Sequence, residues 1–251
     1  MVTTVAQQKG GVGKTTTAIN VGVLLAREGR RVLLIDTDPQ AALTRQLGIA
    51  PGPDATLVDV LTGGTDASTA IRRGVHGVDV LPAASALAGV EMSLVAEMGR
   101  ERFLQEALEE VIASYHELVI DTPPNLGLLT VNALVSANRV IAPVSAEDEG
   151  AVHGILELHQ TIGRLTQRLG IPQPALVPVL TRWMPFRLSS RSIEQALNSL
   201  KLPPAGRIPS RSAAIARAAH DRTPLARAAP DHAVTLAYQR VVEQLVQVIA
   251  R

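Results

Sequence analysis

Ten consecutive residues near the start of the chain, Gln7-Gln8-Lys9-Gly10-Gly11-Val12-Gly13-Lys14-Thr15-Thr16, combine three glycines, two lysines and two threonines. Such a set can cradle an anion: glycines let consecutive backbone N–H groups converge on it, and a helix opening at the lysine adds its positive dipole end. Lys14 is spaced to reach the β- and γ-phosphates of a nucleotide, and the Thr15 hydroxyl to complete a Mg²⁺ shell. The run departs from G-x-x-x-x-G-K-[ST] at one position. Its first glycine is replaced by Gln8, and an extra lysine, Lys9, stands beside Gly10. Of 24 Lys and Arg residues only Lys9, Lys14 and Lys201 are lysine, so two of the three lie in this loop. A slim ammonium fits between phosphate oxygens where a planar guanidinium does not.

Acids end two apolar runs. Asp36 and Asp38 close Val32-Leu33-Leu34-Ile35, and Asp121 closes Leu118-Val119-Ile120. If these runs are strands, their acids emerge at the carboxyl edge of the sheet, where open α/β folds bind ligands. Alternation along an extended chain directs Asp36 and Asp38 to one side; the competing reading is a simple turn with Pro39. The residues supply no strong general base, so any phosphoryl transfer here rests on positioning and charge neutralisation, and slow turnover is expected. Neither G-x-S-x-G nor H-E-x-x-H occurs, and the 6 histidines are scattered.

The elements that must carry these residues alternate. Strands are expected near Thr3–Ala6, Val32–Asp36, Val78–Leu81, Leu118–Asp121, Val140–Pro143, Leu176–Leu180 and Gly206–Ile208. Ala18, Val21, Gly22 and Leu25 fall at helical spacing between the first two, with Gly29 as a C-cap. Further helices are expected at Arg100–Ser114, Leu126–Ala137, Gly150–Leu169, Ser189–Leu200, Arg211–His220 and His232–Ile249, a short-helix excursion at 48–76, and a tight connection at Leu202–Ala205. The pattern predicts one α/β domain over 1–251: a mostly parallel, twisted sheet of seven or eight strands with helices on both faces.

Composition narrows the chemistry. The chain has 251 residues, 46% of them hydrophobic, enough for a large single core. It has no cysteine, which excludes disulfides, thiolate metal sites and cysteine nucleophiles. No apolar run approaches the roughly 20 residues that span a bilayer, and no signal peptide is evident, so a cytoplasmic location is expected. The net charge of +1 divides unevenly. Residues 1–160 hold 11 Lys and Arg against 19 Asp and Glu, a balance of −8, whereas residues 161–251 hold 13 against 4, a balance of +9. A basic third suits a polyanion such as nucleic acid or anionic membrane; a merely solvated arginine surface is the alternative.

The loop at 7–16, with Asp36-Thr37-Asp38-Pro39-Gln40 and Val119-Ile120-Asp121-Thr122-Pro123-Pro124, resembles the ParA/MinD family of deviant Walker A P-loop ATPases, most closely the short Soj-type partition ATPases. The resemblance implies binding of ATP/ADP and Mg²⁺ by Lys9, Gly10, Gly11, Val12, Gly13, Lys14, Thr15 and Thr16. It also implies slow, Mg²⁺-dependent hydrolysis and an ATP-dependent homodimer in which Lys9 reaches the partner's phosphates. By the same resemblance Asp38 orients the attacking water, making Lys9, Lys14 and Asp38 the catalytic set. Thr15, Asp36 and Asp121 serve the metal, and Thr122-Pro123-Pro124 forms a switch-like segment. The family's basic C-terminal surface implies non-specific double-stranded DNA binding; of the seven arginines Arg182, Arg187, Arg191, Arg211, Arg217, Arg222 and Arg227, the candidates are Arg187, Arg191, Arg211 and Arg217. Pro209, in Ile208-Pro209-Ser210-Arg211, stands near a nucleotide-contacting position of relatives. A ParB-like centromere-binding protein is the implied stimulating partner, partition of a chromosome or plasmid the implied task, and the nucleoid the implied location. No helix-turn-helix is expected before the first strand. A MinD-like ATPase acting on a membrane surface, or positioning of a protein cargo, is the alternative; the last helix, carrying Glu243, Gln244 and Gln247 on its polar face, reads as core-packing rather than membrane-seeking.

Overall fold

In a computed structural model, which describes residues 1–50, 52, 54–148, 150–210 and 213–249, eight strands form one sheet. They are β1 (Val2–Val5), β2 (Val32–Asp36), β3 (Arg72–Val75), β4 (Val78–Leu81), β5 (Glu117–Asp121), β6 (Arg139–Ser145), β7 (Ala175–Trp183) and β8 (Arg207–Pro209). The order is β3-β4-β2-β5-β1-β6-β7-β8, parallel throughout except for β3, which pairs antiparallel with β4. β1 therefore lies in the interior, with β5 on one side and β6 on the other. Every residue of β1, β2, β5 and β6 is buried, as strands covered on both faces require.

The helices are α1 (Lys14–Arg27), α2 (Ala42–Gln46), α3 (Leu57–Leu61), α4 (Ala67–Ala70), α5 (Leu87–Leu94), α6 (Phe103–Ile112), α7 (Leu128–Val135), α8 (Ala151–Leu169), α9 (Leu188–Ser199), α10 (Ala213–His220), α11 (Leu225–Ala228) and α12 (Ala233–Ile249). Strand alternation sorts side chains into two layers. Val5, Leu34 and Val119 pack with Ala18, Val21 and Leu25 of α1 and with Val234, Tyr238 and Val241 of α12. Leu33, Ile35, Leu118 and Ile120 point the other way, onto Leu57, Leu87, Leu104 and Leu108. Beyond β1 that second face continues as Val140, Ala142 and Leu180 against Ile155, Leu158 and Ile193.

Gly22 explains itself in this packing: a Cβ there would sit 2.4 Å from Leu34 Cδ2, so the glycine lets α1 lie directly on β2. Gly29 has φ +81° just past the end of α1, as the expected cap requires. The expected excursion at 48–76 does contain short helices, α3 and α4, but it ends in β3, which the sequence pattern did not reveal. β3 is an edge strand with no buried residue, so it lacks the apolar alternation by which a strand is read. α2, α5 and α11 were not anticipated either. Among the described residues no helix is long and apolar enough to cross a membrane. The apolar face of α12 is spent on the core: Val234, Tyr238, Val241, Val242 and Leu245 are buried.

Candidate functional site

β1 delivers the glycine-rich segment to the carboxyl edge of the sheet, at its centre. Gly11 (φ +71°) and Gly13 (φ +93°) adopt left-handed backbone that a side chain would strain. Gly13 is also the N-cap of α1 and offers no side-chain acceptor, which leaves the first-turn N–H groups pointing at an anion site. β7 clamps the loop from one side: Thr181 donates to the Val12 carbonyl at 2.9 Å and Arg182 Nη2 to the Gly11 carbonyl at 2.7 Å. Behind it, the buried Tyr238 hydroxyl of α12 meets Thr17 Oγ1 at 3.2 Å.

Two adjoining cavities open over this loop. One, of about 290 Å³, is lined by Gly10, Gly11, Gly13, Lys14, Thr15, Thr16, Asp38, Thr122 and Pro124. The other, about 470 Å³, shares Gly11, Gly13 and Thr16 and extends to Arg182, Pro209, Ser210 and Tyr238. The first brings together the expected phosphate, water and switch residues; the second puts Pro209 beside them.

The carboxylates occupy distinct environments. Asp36 and Asp121 are register partners on β2 and β5, side by side. Asp36 accepts three donors, the Asp38 N–H (3.1 Å) and the Thr44 N–H (2.9 Å) and hydroxyl (2.7 Å). Burial still pushes its carboxyl up to about 6. Asp38 instead lines the phosphate cavity, with Oδ1 accepting the Gln40 N–H at 2.8 Å. The two acids thus do not act as one pair: Asp36 braces the segment leading to Asp38.

Asp121 is fully buried, and neither carboxylate oxygen has a hydrogen-bond partner among the described residues. Burial first, and then the neighbouring Asp36 charge, hold its pKa well above the carboxylate range; Thr15 and Lys14 pull the other way. Lys14 is itself buried, which lowers its pKa, while Asp121 and Asp38 raise it, and its Nζ donates to the Lys9 carbonyl at 3.2 Å. An orphaned oxygen pair beside a threonine hydroxyl fits a hard divalent cation such as Mg²⁺, which takes oxygen ligands.

A buried acid whose folded pKa exceeds its unfolded value binds extra protons in the native state, so stability falls as pH rises through that interval. Asp121→Asn removes the penalty. In nucleotide- and metal-free protein, thermal unfolding in chelator is expected to show the variant's Tm gaining on wild type as pH rises above the ordinary carboxylate range; a difference independent of pH would contradict the assignment.

The arginines are less uniform than their sequence positions suggest. Arg187 pairs with Glu147 at 3.1 Å, and Arg191 Nε donates to the Pro185 carbonyl at 2.9 Å, both from exposed positions. Arg217 is exposed on α10. Arg211 lies outside the described residues. Arg182, grouped with these by sequence, instead serves the phosphate loop. Glu147, Asp148, Thr181 and Tyr238 were not singled out beforehand; Glu147 and Asp148 do follow β6 at the carboxyl edge, which was the available signal.

A family profile described as "AAA domain" matches residues 1–172. The sporulation initiation inhibitor protein Soj of Bacillus subtilis is 44% identical over 166 residues, 65% of this chain and 65% of that protein. The chromosome partitioning protein ParA of Caulobacter vibrioides is 45% identical over 168 residues, covering 65% and 62%. The matched stretches therefore span a little under two thirds of these relatives. Over the whole fold, a crystal structure described as cobyrinic acid a,c-diamide synthase from Mycobacterium smegmatis, with bound ADP and magnesium, superposes with a TM-score of 0.84 at 32% identity, covering 99% of this chain and 95% of that one.

Proposed function

Because the chain belongs to the AAA-domain family, and within it is of the Soj/ParA partition type, we propose that it binds ATP with Mg²⁺, dimerises in that state and hydrolyses the ATP slowly. The observation that carries this reading is Asp121, a buried carboxylate without a partner among the described residues, facing Lys14 and Thr15 at the mouth of a glycine loop. Thr15 and Asp121 hold the metal, which neutralises charge on the β- and γ-phosphates, and Asp36 supports that shell from behind. Lys14 and the backbone of Gly10–Thr16 bind the triphosphate. Asp38 orients the attacking water, and Lys9 reaches the phosphates of the second subunit. The base occupies the larger cavity, against Pro209. Bound ADP and magnesium in the mycobacterial structure support the same cofactors here.

The dimer then binds double-stranded DNA without sequence preference through Arg187, Arg191, Arg211 and Arg217, at the nucleoid. A ParB-like partner stimulates hydrolysis and release, which partitions a chromosome or plasmid. Light scattering on size-exclusion fractions tests the core of this: wild type is expected to be dimeric in a non-hydrolysable ATP analogue and monomeric in ADP, and Lys9→Ala monomeric in both. Gel shifts across a salt series test the DNA step, since log affinity should fall with log salt by roughly 0.9 per phosphate neutralised. A monomer in every nucleotide defeats the proposal; a flat salt response defeats its DNA part.

A further inference from the structure

Two acids of the loop after β6, Glu147 and Asp148, hold cations that arrive from other segments. Glu147 accepts the Ser210 hydroxyl at 3.1 Å, pairs with Arg187 at 3.1 Å and lies 3.9 Å from Arg182. Asp148 takes Lys9: Nζ and Oδ2 are 2.6 Å apart. Asp148 is itself fixed, because Oδ1 accepts the Gly150 N–H at 3.2 Å. The Lys9 side chain is 58% exposed against 22% for Asp148, so this pair sets the direction of an otherwise free ammonium. The contact borders a cavity of about 250 Å³ between the phosphate loop and the start of α8, also lined by Gln7, His153 and Glu157. Glu157, the other described acid lining that cavity, pairs with His153 at 3.0 Å.

We propose that Asp148 is a positioning residue that parks Lys9 on its own subunit, so that two such ion pairs must break before two subunits can share their nucleotides. This rests on the ATP-dimer reading above, and adds a threshold to it. The ammonium cannot serve Asp148 and a neighbour's phosphate at once. A triphosphate carries more charge than one carboxylate and wins the exchange, but each subunit gives up a contact first. Exposed ion pairs are weak, so the effect is about 1.5- to fivefold per subunit, and roughly two- to 25-fold in the dimer dissociation constant because both subunits contribute. Salt should shrink it, since the pair is open to screening.

Asp148→Asn keeps the shape and the acceptor for Gly150 while removing the charge. In the non-hydrolysable analogue, sedimentation equilibrium is expected to show tighter association for Asp148→Asn than for wild type, by the factor above. In nucleotide-free protein, mass spectrometry after brief reductive methylation should show Lys9 modified faster in the variant. With Lys9→Ala as background, Asp148→Asn should change nothing in whatever association persists. A wild type that never dimerises overturns the nucleotide-dimer reading and this inference together. A wild type that dimerises while Asp148→Asn leaves the dissociation constant unchanged, or shifts it equally without Lys9, overturns this inference alone. Faster methylation with unchanged association also overturns it, because the contact would then exist without governing assembly.

Discussion

Lys14→Ala is expected to lower ATP turnover by at least about 10²-fold, read as phosphate release, while circular dichroism stays that of a folded protein. The size follows from where the ammonium sits. It is buried, it donates to the Lys9 carbonyl across the loop, and it lies in the fields of Asp121 and Asp38. Preorganised charge in a water-poor site loses little to reorganisation when phosphate charge develops, so deleting it removes most of what positioning alone provides. Lys14→Arg should not restore turnover, because a planar fork does not enter a loop shaped around a point charge. Turnover within threefold of wild type in the alanine variant would mean that the loop does not hold the reacting phosphates.

Glu117→Ala is expected to cost about 3–5 kcal/mol of stability, the usual consequence of removing one partner of a buried ion pair. Glu117 is fully buried at the first residue of β5 and joins two arginines, Arg139 at 3.0 Å and Arg30 at 3.1 Å. Arg139 also donates to Thr3 Oγ1 at 2.6 Å and to the Leu245 carbonyl at 2.9 Å, so it ties β1, β5, β6 and α12 together at the edge opposite the site. Burial lowers the Arg139 pKa and Glu117 raises it; without the acid the guanidinium keeps the burial and loses the compensation. At roughly 2–4 °C per kcal/mol, the Tm should drop by about 6–20 °C. Arg30→Ala, at a more exposed arm of the same cluster, should cost far less, within the ~0–1 kcal/mol of surface pairs. Equal losses for the two variants would show that burial of the charge is not what decides.

Much of this architecture was legible because the interior strands must be apolar on both faces. β2 and β5 carry unbroken apolar runs, Val32–Ile35 and Leu118–Ile120, each closed by an acid, and that is how Asp36, Asp38 and Asp121 could be picked out. β3 carries none of that pressure, since an edge strand needs hydrogen bonds on one side only and little burial. The division of labour between Asp36 and Asp121 was not legible either. Strand alternation places acids on a side, but whether a carboxylate is already satisfied depends on Thr44, which α2 brings in from outside the strand. Arg182 shows the same limit: composition marks it as one more basic surface residue, whereas the end of β7 aims it at the Gly11 carbonyl. The Lys9–Asp148 contact joins segments far apart in sequence through the adjacency of β1 and β6, which no local pattern records.

The interior place of β1 bears on how the molecule is made. The strand that carries the phosphate loop leaves the ribosome well before its hydrogen-bonding neighbours β5 and β6, which follow more than a hundred residues later. Until they emerge, β1 lacks both of its sheet neighbours and stays open to chaperones or to wrong partners. Nucleotide can therefore be captured only after β6 has emerged, once the centre of the sheet has closed around β1.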